Sequence, residues 1–370
     1  MRRLRTQLFM VTVVLLAIGV VMVYSASAIS AQEFLKDSAY YLKRHLLYLF
    51  IGTVASLLVM SVDYVSLKKY VKPVLMATFF LLMLVLIPGV SREIAGARRW
   101  FRFSFLSFQP SQVCKIVMIL YFADFLSRKQ SEIKSFWEGF VPPMIILGFS
   151  VGLILLEPDL GTAVAISLVS FVMLFVAGIK LRHLLPMLLG SIPVLGVLIF
   201  HKAYRMRRIL AFVDPWKDPQ GVGFQIIQSY IALGSGGPFG VGLGQSRQKL
   251  LYLPGAHTDF IFSIIGEELG LVGAAAVIIL FAVFIWLGFR IALRARDLFG
   301  HLVALGVVSV IALEAIINIA VATGSMPTKG LPLPFISYGG SSLVFDMIGV
   351  ALLLNIAKYS ESPYEKEDNQ

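Results

Sequence analysis

The chain has 370 residues, of which 58% are hydrophobic and only 14% charged, with a mean hydropathy of +0.84. A soluble domain of this size cannot bury so much apolar surface, so composition excludes a water-soluble protein and makes the bilayer the solvent. The net charge of +11 does not indicate nucleic acid, because the cations lie in short clusters between apolar runs; lipid headgroups or a phosphorylated lipid are the anionic partners that fit.

The N-terminus, "MRRLRTQLFMVTVVLLAIGVVMVYSASA", resembles a secretion signal, but its apolar run is too long for one and more spans follow. It is read as a retained first helix. Roughly ten stretches of about 20 residues are long enough to cross a hydrocarbon core. They cover 7–27, 44–62, 70–89, 109–127, 140–157, 160–179, 182–201, 258–289, 300–323 and 338–358. The expected fold is therefore all-α and polytopic: one membrane domain over 1–360, a disordered tail over 361–370, and a large extracytoplasmic loop, 202–257, between helices 7 and 8. The single cysteine, Cys114, cannot form an internal disulfide. The five scattered histidines have no metal-binding spacing, so no metal-ligating set is expected.

Alternation of the spans puts "MRRLR", "SLKKYVK", "SRKQSEIK", "IKLRH" and "RIALRAR" on one side, which the positive-inside rule makes cytoplasmic, together with both termini. Two loops on the other side break that bias. One carries Arg92, Arg98, Arg99 and Arg102; the other carries Lys202, Arg205, Arg207, Arg208, Lys217, Arg247 and Lys249. Cations placed against the rule suggest an anionic ligand outside, although outer-leaflet headgroups account for them about as well.

In the long loop, "FQIIQSYIALGSGG" reads as a short amphipathic helix at the interface. The glycines of "GSGGPFGVGLG" fit a tight, lipid-hugging turn better than a phosphate cradle, since no Lys-Ser/Thr follows. Asp259 then opens an apolar run. Ionisable residues at spans are costly and are functional candidates, and the plain alternative makes Thr258 or Asp259 a helix cap. A carboxylate beside Arg-rich loops suits a general base next to a bound phosphate. His257 is taken as an orienting or structural residue rather than a second base. Glu157 and Asp159 in "LLEPDLGTAV" are expected to counter arginines rather than bind metal, and the buried Lys115 should have a carboxylate partner. Lys329 and Tyr338 lie in a Pro/Gly-rich segment that must line protein or a polar cavity. Glu267 and Glu268, deeper in the eighth span, either pair with inner cations or line a cavity, and Asp346 is a further charge within a span.

The segments "YRMRRILAFVDPWKDPQGVGFQIIQSYIALGSGG", "GVGLGQSRQKLLYLPGAHTDFIFSIIGEELGLVG", "KGLPLPFISYGGSS", "GARRWF", "FQPSQVCK" and "EPDLGTA" resemble the signature motifs of the SEDS family (shape, elongation, division and sporulation) over nearly the whole chain. "TGSMPTKGLPLPFISYGGSS" and "SRQKLLYLP" are closer to the FtsW and SpoVE division–sporulation branch than to RodA. The resemblance implies a ten-helix peptidoglycan glycosyltransferase that polymerises lipid II at the outer face of the cytoplasmic membrane, at the division septum. It implies a class B penicillin-binding protein as transpeptidase partner, with other divisome membrane proteins. It also implies a catalytic Asp259 and motif residues Arg98, Arg99, Trp100, Gln109, Ser111, Lys115, Asp159, Arg205, Lys329, Ser337 and Tyr338; Arg208, His257 and Thr258 complete the expected substrate site. One departure is that Leu250 and Leu251 follow Lys249 where some division members carry an acid, so a regulatory ion pair using that acid is expected to be absent.

The expected chemistry is attack of an acceptor 4-hydroxyl, deprotonated by Asp259, on an anomeric carbon bearing a lipid pyrophosphate, with inversion. One carboxylate suffices because the leaving group is an anion, which Arg98, Arg99, Arg205 and Lys329 would stabilise. A divalent cation, Mg or Mn, is the one cofactor entertained. The rivals are a lipid flippase, a non-catalytic scaffold for a cell-wall synthase, and a phosphatase or O-antigen-type ligase.

Overall fold

The computed structural model describes residues 1–94, 97–103, 106–250 and 252–360. Leu251, the 361–370 tail, and the side chains of Arg92 and Arg102 lie outside what it describes. In chain order the helices are α1 (Arg2–Leu35), α2 (Tyr40–Ser61), α3 (Val71–Leu86), α4 (Pro110–Arg128), α5 (Val141–Leu156), α6 (Leu160–Val176), α7 (Leu181–Phe200), α8 (Ala203–Val213), α9 (Phe224–Ser235), α10 (Ile261–Leu293), α11 (Leu298–Ala322) and α12 (Ser341–Tyr359). Among the described residues, eight helical segments are long and apolar enough to cross a membrane. α6, apolar over 17 residues, and α4, which carries the charged Lys115 and Asp124, bring the spans to the ten expected. Helices α8 and α9 lie outside the spans, and the face that carries them is called here the loop face.

The bundle is built around α11 and α12, whose side chains are mostly buried, whereas α7 buries only Leu184. Burial of polar groups among apolar helices is tolerated only when they find partners. Lys115 meets that demand as expected from sequence: its Nζ lies 2.5 Å from Glu314 Oε1 on α11 and 4.0 Å from Asp346 Oδ1 on α12. Asn355 donates to the carbonyls of Val59 and Val62 at 2.8 and 2.6 Å, where the chain leaves α2.

Two features of the fold differ from the sequence reading. The Arg-rich loop after α3 is a three-stranded antiparallel sheet, β1 (Arg92–Ile94), β2 (Ala97–Phe103) and β3 (Leu106–Phe108), with Phe101 opposite Phe108. Its short aromatic strands have no room for a long period-2 pattern, which is why they read as loop. The glycine-rich turn is docked on a break in α10 with Phe239, Val241 and Leu243 left exposed, and the N–H groups of Gly240, Val241 and Gly242 are taken by backbone carbonyls rather than free for phosphate. Gly270 breaks α10 (φ 68°, ψ −166°), and the turn fills the break. Val241 and Gly242 N–H donate to the Glu267 and Glu268 carbonyls at 2.9 and 3.1 Å. In return, Leu271 and Val272 N–H donate to the Gly237 and Pro238 carbonyls at 2.9 and 3.1 Å. Backbone at this depth must be satisfied by protein.

The side chains of the same two glutamates face the loop that follows. Lys249 Nζ pairs with Glu268 Oε1 at 2.8 Å, Ser246 Oγ bonds Glu267 Oε2, and Ser25 Oγ of α1 donates to Glu268 at 2.6 Å. The approach of the two backbones leaves no room for a Cβ: one built on Gly270 lies 2.3 Å from Gly240 N. Gly270→Ala should therefore destabilise the protein by at least the ~1–3 kcal/mol of a forced left-handed residue, read as a lowered unfolding midpoint in detergent. A midpoint equal to wild type would mean the break is not obligatory.

The amphipathic helix expected at "FQIIQSYIALGSGG" is α9. It buries Ile226, Ile227 and Ala232, and Ser229 Oγ donates to Ala322 O at 2.6 Å, so it is docked on the ends of α10 and α11.

Candidate active site

On the loop face, five separate stretches converge on a cavity of about 680 Å³. β2 supplies Arg99 and Trp100, and the α5–α6 turn supplies Pro158 and Asp159. α8 and the residue before it supply Lys202, Tyr204, Arg205 and Arg208. Asp259 comes from the start of α10, and Lys329 and Gly330 from the irregular segment between α11 and α12. Five cations thus face two carboxylates, an arrangement that favours an anionic ligand.

The two carboxylates differ in what they do. Asp159 is committed to structure: its Oδ1 accepts from Thr162 N at 3.2 Å as the cap of α6, and its Oδ2 accepts from Thr162 Oγ1 at 2.9 Å and Gln109 Nε2 at 3.0 Å. Asp259 is not committed. The N-cap of α10 is Phe260, with no side-chain cap bond, so the helix-cap alternative fails for both Thr258 and Asp259. Thr258 Oγ1 instead donates to the Gly255 carbonyl at 3.2 Å. Among the described residues no hydrogen bond or ion pair engages the Asp259 carboxylate.

The backbone holds Asp259 firmly even so. Asn318 Nδ2 on α11 donates to Asp259 O at 3.0 Å and to Leu331 O at 2.8 Å, tying the acid to the segment that carries Lys329. Ser337 Oγ donates to Thr258 O at 2.6 Å and Tyr338 N donates to His257 O at 2.9 Å. Gly330 (φ +69°) passes close enough that a Cβ there would sit 3.4 Å from Asp259 Oδ2. A glycine keeps the approach to the carboxylate open.

Electrostatics suit a base. Burial pushes the Asp259 carboxyl above the usual carboxylate range, and the Arg208 guanidinium pulls it partly back. Burial lowers the Lys329 ammonium from its usual range. Arg208 Nη1 also donates to Thr328 O at 3.2 Å, linking α8 to the same segment. Burial drops His257 to about 4, which favours the neutral imidazole, and Tyr41 packs on its ring at 4.4 Å.

Of the residues expected from sequence, Arg99, Trp100, Asp159, Arg205, Arg208, Asp259 and Lys329 meet at the cavity. Gln109, Thr258, Ser337 and Tyr338 sit behind it and hold it, and Ser111 Oγ accepts from Gln109 Nε2 at 2.9 Å. Arg98 and His257 are not in its wall, and Lys115 is engaged with Glu314 and Asp346. Arg205, though in the wall, donates to Tyr204 Oη at 3.0 Å and to Leu198 O at 2.8 Å. The acids of the α5–α6 turn do not counter arginine as expected: Arg99 Nε and Nη2 donate to the backbone carbonyls of Glu157 and Pro158, at 2.8 and 2.6 Å. Reading the sequence missed Lys202 and Tyr204 as wall residues, and missed Asn318 and Glu314. The last two were visible as lone polar residues in an apolar span.

The chain is similar to known proteins over nearly its whole length. The family model FTSW_RODA_SPOVE, described as "Cell cycle protein", matches residues 5–362. The chain is 47% identical over 348 residues to "Probable peptidoglycan glycosyltransferase FtsW" of Geobacter sp. (strain M18), covering 94% of this chain and 95% of that one. It is 47% identical over 355 residues to "Stage V sporulation protein E" of Bacillus subtilis (strain 168), covering 95% and 96%. Among solved structures, a chain of a peptidoglycan synthase complex that coordinates polymerization and crosslinking superposes with a TM-score of 0.80 at 32% identity, covering 96% of this chain and 98% of that one. The rod shape determining protein RodA of Thermus thermophilus superposes at 0.72 with 29% identity, covering 96% and 97%.

Proposed function

The chain belongs to the FtsW, RodA and SpoVE family of cell cycle proteins, and from that premise we propose that its loop-face cavity is the site where lipid II is polymerised, with Asp259 as general base. The protein is a multi-pass membrane peptidoglycan glycosyltransferase of the division type. The observation that supports the assignment best is the contrast between the two carboxylates, one fully bonded and one held by its backbone with its oxygens unused.

In the proposed reaction the acceptor's 4-hydroxyl lies against Asp259 and the donor's anomeric carbon lies beyond it, toward the cations. The acceptor oxygen forms the new glycosidic bond as its proton passes to Asp259, and the bond from the anomeric carbon to the pyrophosphate oxygen breaks. The departing lipid pyrophosphate already carries charge, so Arg99, Arg208, Lys202 and Lys329 stabilise it without a proton donor. Displacement by a single acid inverts the centre; a retaining route needs a second free carboxylate, and Asp159 is bonded away. Trp100 offers a ring for a sugar face.

A divalent cation, Mg or Mn, would find Asp259 as the one uncommitted carboxylate in the wall. Among the described residues no group of three or more His, Cys, Asp or Glu could hold one. The protein donors described do not by themselves make a metal site.

The reading extends to a class B penicillin-binding protein as transpeptidase partner, with other divisome membrane proteins, and to a septal location. It sets the loop face outside the cytoplasmic membrane with both termini in the cytoplasm, on the strength of the basic short loops on the opposite side.

The pH dependence of strand synthesis tests the base. Asp259 works deprotonated, and its pKa is raised, so activity should fall on acidification at a pH above the ordinary carboxylate range. Arg208 lowers that pKa, so Arg208→Gln should move the acid limb to higher pH. A limb that stays in place, or moves down, would assign it to another group.

A further inference from the structure

Glu157, beside the cavity, is an acid that neither the proposed reaction nor any hydrogen bond among the described residues uses. It ends α5, is fully buried, and among the described residues neither carboxylate oxygen has a hydrogen-bond partner. The titratable groups that face it are Asp159 on its own turn, Arg99 on β2 and Cys114 on α4. Arg99 is the informative neighbour. Its guanidinium has a carboxyl group within electrostatic reach, yet it spends two donors on the backbone carbonyls of Glu157 and Pro158. A charged carboxylate accepts roughly twice as strongly as a neutral carbonyl, so an anion here would compete for those donors. An unpaired buried anion would itself be strongly disfavoured.

The turn is pinned on both sides: Arg99 Nη2 donates to the Pro158 carbonyl, and Asp159, the next residue, is locked by Thr162 and Gln109. Arg99 Nη1 makes no hydrogen bond among the described residues, and the side chain lines the cavity.

Building on the glycosyltransferase reading, we propose that Glu157 is a positioning residue that works as a neutral carboxylic acid, and that its neutrality leaves Arg99 on the backbone carbonyls and in the cavity wall. Burial and then Asp159 push Glu157 up to about 9, while Arg99 pulls it down. The sign is that of a raised acid: neutral below about 9, ionised above it. On ionisation the carboxylate draws the Arg99 guanidinium inward, and the leaving pyrophosphate loses one of its cations. Lys329 deprotonates on the same side of the pH scale, so the comparison must be between variants rather than on wild type alone.

The test joins two measurements on the full chain in bilayer nanodiscs. Infrared difference spectra of wild type against Glu157→Gln at neutral pH are expected to contain the C=O stretch of a protonated carboxylic acid, absent in the variant and lost in wild type as pH passes about 9. Strand synthesis from lipid II across the same range is expected to fall at a higher pH in Glu157→Gln than in wild type, since glutamine cannot ionise. A carboxylate band in place of the acid band at neutral pH overturns the proposal. So does an alkaline fall at the same pH in both proteins. If wild type makes no strands at any pH, the glycosyltransferase reading fails, and the infrared titration still decides the charge of Glu157.

Discussion

Asp259→Asn is expected to fold as wild type does and to lose about 10²- to 10⁴-fold in strand synthesis, the range typical of removing a general base. Folding should survive because the carboxylate takes part in no cap, hydrogen bond or ion pair among the described residues, and asparagine leaves the Asn318 bond to the backbone carbonyl untouched. The unfolding midpoint, measured beside activity, separates the two effects. An asparagine variant that retains activity would reduce Asp259 to a wall residue. One that loses activity and midpoint together would make it structural. Asp159→Asn gives the contrasting pattern: its oxygens accept three hydrogen bonds, so it should lower the midpoint as well as activity.

The second large effect is expected far from the chemistry. Lys115→Met leaves Glu314 and Asp346 facing each other among apolar helices without their cation. Removing one partner of a buried ion pair costs about 3–5 kcal/mol, because the other charge is left unpaired, while replacing the whole set by apolar residues is often neutral. Thermal unfolding in detergent should therefore rank Lys115→Met well below wild type. The triple replacement Lys115→Met, Glu314→Leu, Asp346→Leu should recover much of the loss. A single variant as stable as wild type would mean the pair contributes nothing. A triple variant less stable than the single would mean the cluster has a further partner.

The ten spans were legible because a membrane helix needs about 20 apolar residues, and few other structures do. Asp259 was legible for a related reason: an acid where an apolar run begins is conspicuous against that background. What was lost was whatever depends on a partner distant in sequence. Lys115 announced that it needed an acid, but which one was set by helices some 200 residues away in the chain, |i−j| = 199 for Glu314. The glycine-rich turn and Gly270 each looked like an isolated irregularity, and only their meeting explains both. Glu157 and Asp159, two residues apart, were read as equals, yet one is buried without a bond and the other is saturated. Composition identifies an acid; the choice between structural and chemical use lies in which donors reach it.

The most direct measurement is the fate of lipid II when the purified full chain is reconstituted in liposomes, together with the proposed partner, a class B penicillin-binding protein that must itself lack a glycosyltransferase domain. Glycan strands should form, with the configuration at each new linkage inverted relative to the lipid pyrophosphate. Movement of lipid II across the bilayer without any strands would contradict the assignment and make the cavity the mouth of a transporter.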